Sequence, residues 1–205
     1  MDLSIATPSV PLDAVFMRTR RCNEEISLHR LHGDGDIATV LSLREEIDLS
    51  VHAAAGARFQ ELEKKRDACG IVVAFDLMDQ RIGTIRIVPL GYGLTLTEEF
   101  LPQLPSDDFS LTCGAWEVGR LVMAPQYRTD VDALRHCLQK ALLHAFADAH
   151  VETLWATCTR ALSRLYRRFG FATLAQDLPL PGTNKVYSLI RGTADDVDRA
   201  LKRCS

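Results

Sequence analysis

The chain has 205 residues, 47% of them hydrophobic and 25% charged, with a formal net charge of −3. This length suits one sizeable core, and the slight negative charge excludes a global basic field for nucleic acid. No run approaches the ~18 apolar residues of a membrane span, and the N-terminus lacks the basic start and apolar core of an export signal. Six scattered cysteines (Cys22, Cys69, Cys113, Cys137, Cys158 and Cys204) form no CxxC pair, and the six histidines form no ligand constellation. The expectation is therefore a cytoplasmic protein with reduced thiols, no membrane span and no metal.

Residues 1–25, with Pro8, Pro11 and the cluster Arg18, Arg20 and Arg21, read as a loosely ordered arm ahead of a single domain over 26–205. Ile26, Leu28 and Leu31 predict a strand. Gly33 and Gly35 mark a turn, Asp34 or Asp36 caps a helix through Ile37, Val40, Leu41, Leu43, Arg44 and Ile47, and a second helical piece covers about 50–66. Residues 70–77 and 81–88 form a hairpin about Asp79 and Gln80. Its second strand turns Ile85 and Ile87 to one face and Thr84, Arg86 and Val88 to the other, leaving Arg86 mid-strand. Residues 90–111, rich in Pro, Gly and acidic side chains, read as a mobile loop or lid.

Residues 112–138 form a strand–loop–helix unit. Glu117 and Arg120 lie among apolar neighbours, the run Leu121, Val122 and Met123 stops at Pro125, and a helix starts near Thr129 or Asp130 and continues to about 149. A helix start exposes unpaired N–H groups, so the preceding loop suits an anion. A strand at 153–157, a basic helix at 159–169 ended by Gly170, and strands at 171–174 and 185–190 complete the order β–α–α–β–β–β–α–β–α–β–β. That order describes an α+β sheet with helices on both faces.

The layout resembles the GNAT acyltransferase superfamily over residues 26–191, with its mixed, largely antiparallel sheet. LVMAPQYRTDVDALRHCL occupies the family's acyl-carrier motif, and LSRLYRRFGF matches its helix-then-strand signature, with Tyr166 four residues before Gly170. Ordinary acetyl-CoA enzymes carry a glycine-rich loop where this chain reads Arg128 to Ala133 with Asp130 and Asp132, an arrangement ill-suited to CoA pyrophosphate. Three further features resemble the N-acyl amino acid synthases of the FeeM type and the acyl-homoserine-lactone synthases. They are Leu43-Arg44, the G-x-x-R-x-x-P strand Gly83 to Pro89, and Glu117-x-x-Arg120. The tryptophan and acidic pattern of the lactone synthases are not found around Asp48-Leu49 and Arg66 to Cys69, so the amino acid synthase branch is preferred.

The resemblance implies transfer of a fatty acyl group from an acyl-phosphopantetheine thioester, carried by acyl carrier protein, to the α-amine of an amino acid, with no permanently bound cofactor. Glu117 is the candidate base and Tyr166 the candidate donor to the departing thiolate. A bulge around Gly119 would bring Glu117 and Arg120 to one side, and the amide of Val122 or Met123 would hold the thioester oxygen. Arg44, Arg86 and Arg120 are candidates for the acceptor carboxylate or carrier phosphate, with pairing to Glu117 as the structural alternative for Arg86 and Arg120. Arg160, Arg164 and Arg167 or Arg168 make a basic helix face for an acidic carrier, joined by Arg128, Arg135 and Lys140. Leu94, Leu96, Phe100, Leu101 and Leu104 either line an acyl pocket or pin their loop to the core. Cys113 and Cys158 are the cysteines nearest the site, with burial as small hydrophobes preferred over catalysis. The alternatives are a CoA-dependent N-acetyltransferase, a lactone synthase, and a GNAT fold that binds an acyl ligand without turnover.

Overall fold

The computed structural model describes residues 26–104, 111–181 and 183–203, with 45–59 given by backbone alone; the arm expected over 1–25 lies outside the described residues. Strands β1 (Ile26–Arg30), β2 (Ile71–Leu77), β3 (Gln80–Pro89), β4 (Ala115–Met123), β5 (Thr153–Cys158), β6 (Ala172–Pro179) and β7 (Val186–Thr193) form one sheet in the order β1-β2-β3-β4-β5-β7-β6. Every neighbouring pair is antiparallel except β4 with β5. The helices are α1 (Gly33–Cys69), α2 (Leu96–Phe100), α3 (Val131–Asp148), α4 (Arg160–Arg168) and α5 (Ala194–Arg203). The expected α+β sheet, largely antiparallel with helices on both faces, is therefore what the chain forms.

Alternation along the strands sorts the two faces. Ile85 and Ile87 of β3 and Val118 of β4 join Leu138 and Leu142 of α3, Phe169 of α4 and Val197 and Leu201 of α5 in the main core. Each such side chain contributes about 1.5–3 kcal/mol when fully buried. On the opposite face α1 rests on β2, β3 and β4. Farther along that face a second cluster gathers Phe100, Trp155, Leu178, Leu180 and Leu189.

Three elements differ from expectation. The two helical pieces expected near 37–47 and 50–66 are joined in the single helical stretch α1, which is not one straight rod. Arg44 and Asp67 are 23 residues apart, about 34 Å along a straight helix, yet their side chains meet at 2.9 Å. The helical path doubles back between them, and its two arms lie side by side. The final helix α5 is an addition to the expected order; Gly170, at φ +89, lets it close on the sheet, because a Cβ there would come within 2.7 Å of the Asp196 carbonyl oxygen. Within the segment expected as a lid, residues 90–104 are tied down: Thr95 and Glu98 form a capping box for α2, and Phe100 is fully buried. Its apolar residues pin the loop to the second cluster, with Phe100 and Leu104 buried in it and Leu96 and Leu101 packed against it.

Two irregularities of β4 interrupt the middle of the sheet. The strand pairs with β5 only at Ala115, Trp116 and Glu117, so the two strands part beyond Glu117. Against β3, the register passes from Arg86↔Gly119 to Thr84↔Val122, leaving one β3 residue opposite two on β4, with Arg120 at φ +51. The bulge expected around Gly119 is thus centred on Arg120.

Candidate active site

The bulge puts Arg120 on the same face as Glu117 and Arg86, under the two arms of α1. There Arg86, 4% exposed, donates to Glu63 Oε1 and to Asp67 Oδ1, each at 3.0 Å. Glu63 also accepts from Arg66 Nη1 at 2.7 Å and from Arg120 Nε at 2.8 Å. Arg44 Nη1 reaches both oxygens of Asp67, at 3.0 and 2.9 Å. Burial alone would raise the Glu63 carboxyl, but the Arg86 and Arg120 guanidiniums hold it far below the usual carboxylate range. The Arg44 guanidinium is pulled down by burial, and Asp67 offsets part of that.

Within this set of six residues, four arginines share two carboxylates, a formal excess of two positive charges. Among the described residues Arg44 Nε and Nη2 are buried without a hydrogen-bond partner. Buried charged donors left unpaired are expensive, so the two Arg44 donors would gain from an acceptor group beside them. A cavity of about 350 Å³ opens beside them, lined by Asp34, Ile37, Leu41 and Arg44 from one arm of α1, Gln60, Glu63, Lys64 and Asp67 from the other, and Arg120. Sequence reasoning missed Glu63 and Asp67. Their spacing of four on a helix puts them on one face, which reads as solvated until the sheet behind it is known.

Glu117 is 6% exposed, and its Oε2 accepts the Thr97 N–H at 2.7 Å. Burial pushes its carboxyl up, while Thr97 and the more distant Arg66 and Arg86 temper the rise. Ion pairing with Glu117 is the structural alternative expected for Arg86 and Arg120; both guanidiniums instead meet Glu63. Tyr166, 9% exposed, packs edge-on against Phe169 and Phe171 in the main core, the cluster that also holds Val118 and Cys158. Glu117 and Tyr166 therefore lie on opposite faces of the sheet. Burial, with Cys158 nearby, keeps the Tyr166 hydroxyl protonated. Burial also pushes the Cys158 thiol up to about 12, which suits a packed cysteine rather than a nucleophile.

The Ala124 N–H bonds the Ile82 carbonyl, so alternation turns the Val122 N–H toward β3 and the Met123 N–H toward the gap. Of the two amides expected to face a thioester, Met123 has the orientation and Val122 does not. The Met123 carbonyl, on the same edge, accepts from Arg128 Nε at 3.2 Å. At the start of α3, Asp130 Oδ1 accepts the N–H groups of Asp132 and Ala133 at 3.1 and 2.9 Å, so the chain's own carboxylate occupies the amides that would cradle a pyrophosphate. Arg160, Arg164 and Arg168 are exposed along α4, and Arg128 is exposed beside the α3 start. Arg135 departs from the docking expectation: it is 4% exposed, and its Nη1 holds the Leu201 carbonyl at 3.0 Å, tying α5 to α3. Among the described residues no group of His, Cys, Asp and Glu is arranged to hold a metal ion, and no helix is long and apolar enough to cross a membrane.

No protein-family model matches the sequence, and no curated protein matches it. Solved structures do. An N-acyl amino acid synthase, FeeM, from uncultured soil microbes superposes with a TM-score of 0.61 at 12% identity, covering 84% of this chain and 92% of its own. The acyl-homoserine-lactone synthase LasI gives a TM-score of 0.61 at 14% identity over 86% and 93%. A Vibrio cholerae spermidine N-acetyltransferase, solved with CoA and spermine, gives 0.57 at 13% identity over 85% and 99%. With a parallel β4/β5 pair that parts at Glu117 and these structural relatives spanning most of its length, the chain has the fold of the GNAT acyltransferases.

Proposed function

We propose that this protein is an N-acyltransferase that moves a fatty acyl group from an acyl carrier protein thioester to the α-amine of an amino acid. The observation that carries the reading is the Arg44 guanidinium, paired with Asp67 through Nη1 but with Nε and Nη2 unpartnered among the described residues, beside a small cavity on the sheet face that bears Glu117. An α-carboxylate entering there would meet the two buried Arg44 donors, with Ile37 and Leu41 flanking it. The charge-assisted contact contributes about 1.5–3 kcal/mol.

In this reading Glu117 takes the ammonium proton, made basic enough by its burial. The freed amine nitrogen attacks the thioester carbonyl carbon lying in the β4/β5 gap, and the oxyanion is held by the Met123 N–H. The new C–N bond forms as the C–S bond breaks; Tyr166 gives its proton to the departing thiolate and regains one when the amine nitrogen sheds its second proton on becoming the amide. Arg128, Arg160, Arg164 and Arg168 receive the acidic carrier. Asp130 on the first amides of α3 disfavours a CoA pyrophosphate by like charge, which supports a carrier-borne arm over free CoA. A cytoplasmic setting, where acyl carrier protein is made and used, belongs to the same reading.

The test is mass spectrometry of lipid extracts from a bacterial host expressing the chain or its Glu117→Gln variant. N-acyl amino acids present with the parent and lost with the variant are expected, and they identify both substrates. Undiminished product from Glu117→Gln would remove Glu117 as the base. Acetylated product formed from acetyl-CoA at higher efficiency would replace this reading with the CoA-dependent one.

A further inference from the structure

The Glu98 carboxylate collects an unusual number of donors. Its Oε1 accepts the N–H groups of Gly91 and Gly93 at 2.7 and 2.8 Å. Its Oε2 accepts those of Leu94 and Thr95 at 3.0 and 2.9 Å and the Thr95 hydroxyl at 2.9 Å. Gly91 and Gly93, at φ +101 and +66, supply the backbone reversals that turn successive amides inward. In return the Glu98 N–H donates to Thr95 Oγ at 3.2 Å. The result is a knot closed around one anionic side chain, far more than a five-residue helix needs for its cap. From α1, Arg66 Nε takes the Leu94 carbonyl and binds the same knot to the arginine–carboxylate network.

The knot sits one residue from the candidate base. Thr97, fully buried, follows the cap, and its N–H ends on Glu117 Oε2 at 2.7 Å. Among the described residues, Glu117 is faced by Thr97 from α2, Arg66 from α1, Arg86 from β3 and the Gly119 backbone in its own strand. Only Thr97 touches the carboxylate, and its direction depends on how the 91–95 turn is tied. We infer that Glu98 is a positioning residue: its carboxylate ties the turn that aims the Thr97 N–H at Glu117, holding the base in place and in its charged form. This rests on Glu117 being the base. It adds a residue that contacts neither substrate yet sets the pH range in which the base works.

The sign follows from the hydrogen bond. A donor to a carboxylate favours the charged form, so loosening Thr97 leaves burial less opposed and raises the Glu117 pKa. Glu98→Gln keeps the size of the side chain but replaces one acceptor oxygen with a donor. In that variant, carbon-13 titration of the Glu117 carboxyl in labelled protein shifts upward by about one pH unit, the equivalent of one ordinary hydrogen bond. The acid limb of kcat/KM, measured with the acyl carrier and amino acid identified by the extract experiment, moves by the same amount, and the rate recovers at alkaline pH. Thr95→Val removes only the hydroxyl from the knot; it shifts the titration in the same direction by less and carries the test should Glu98→Gln fail to fold. An unchanged Glu117 titration in the folded variants, or a rate loss uniform in pH, overturns the inference. Because the titration is read without substrate, its outcome is independent of Glu117→Gln, whose retained activity would sink the base assignment alone.

Discussion

The two faces of the sheet solve burial in opposite ways. Against α3, α4 and α5 the strands present Val73, Ile85, Ile87 and Val118, and the interface is almost purely apolar. Against α1 the same strands present Arg86, Glu117 and Arg120, and the interface is a web of arginines and carboxylates. Apolar burial is non-directional and tolerates rearrangement, whereas a buried ionic web holds only while nearly every donor is met. The apolar face therefore carries most of the stability of the domain, and in the proposed reading the charged face supplies the base and the acceptor contacts while Tyr166 acts from the apolar side.

Removing one hub from the charged face should break this contrast most severely. Glu63→Ala leaves Arg66, Arg86 and Arg120 without their shared carboxylate, and an uncompensated buried charge costs about 3–5 kcal/mol. Urea unfolding should show that loss, together with loss of activity. On the other face Leu138→Ala should cost about 2–5 kcal/mol of stability, yet the folded fraction should keep its kcat, because Leu138 only packs the core and is none of the proposed catalytic groups. Equal effects of the two substitutions on kcat would erase the distinction.

Arg44→Ala sharpens it further. It should raise KM for the amino acid about 10–100-fold through loss of the carboxylate contact, with kcat and carrier KM nearly unchanged, as steady-state kinetics with each substrate varied will show. pH separates the faces again. The Glu63 carboxyl is lower folded than unfolded, so its contribution is present above the ordinary carboxylate value and is lost as pH falls below it. Glu117 is raised on folding and works the other way, its contribution fading as pH climbs past the ordinary value toward the raised one. Glu63→Gln should flatten the acid limb of stability, and Glu117→Gln should stabilise the protein at neutral pH, both read from unfolding midpoints across pH. The smallest effect belongs to the surface. Arg164→Glu on α4 should change stability by less than about 0.5 kcal/mol while weakening carrier use in a salt-dependent way.

How far the sequence told this in advance follows the same division. Period-two patterning in residues 81–88 already sets Ile85 and Ile87 against Arg86, and the pairing of Arg86 with Gly119 keeps that parity. Glu63 and Asp67 are illegible because, apart from Arg66 on the next turn, their partners lie 19 to 57 residues away in Arg86, Arg44 and Arg120. Nothing local distinguishes a helix carboxylate facing water from one facing an arginine strand. The two missed helices are more readable. Each opens with threonine and an acidic residue three positions later, Thr95 with Glu98 and Thr193 with Asp196, and both pairs are hydrogen-bonded caps. Their shortness and thin apolar pattern, with Val197 and Leu201 the buried hydrophobes of α5, hide them.

The extra residue at Arg120 acts as a phase shifter. Before it, the odd-numbered side chains of β4 look toward α1, as Glu117 does; after it the even-numbered ones do, as the pairing of Val122 with Thr84 requires. One inserted position thus reverses the parity of the strand while leaving Val118 and Met123 on the apolar side. Sliding that insertion along β4 would exchange the faces of the residues it passes, Leu121 and Val122 in one direction or Val118 in the other, so the packing of the core fixes where Arg120 can enter the charged face.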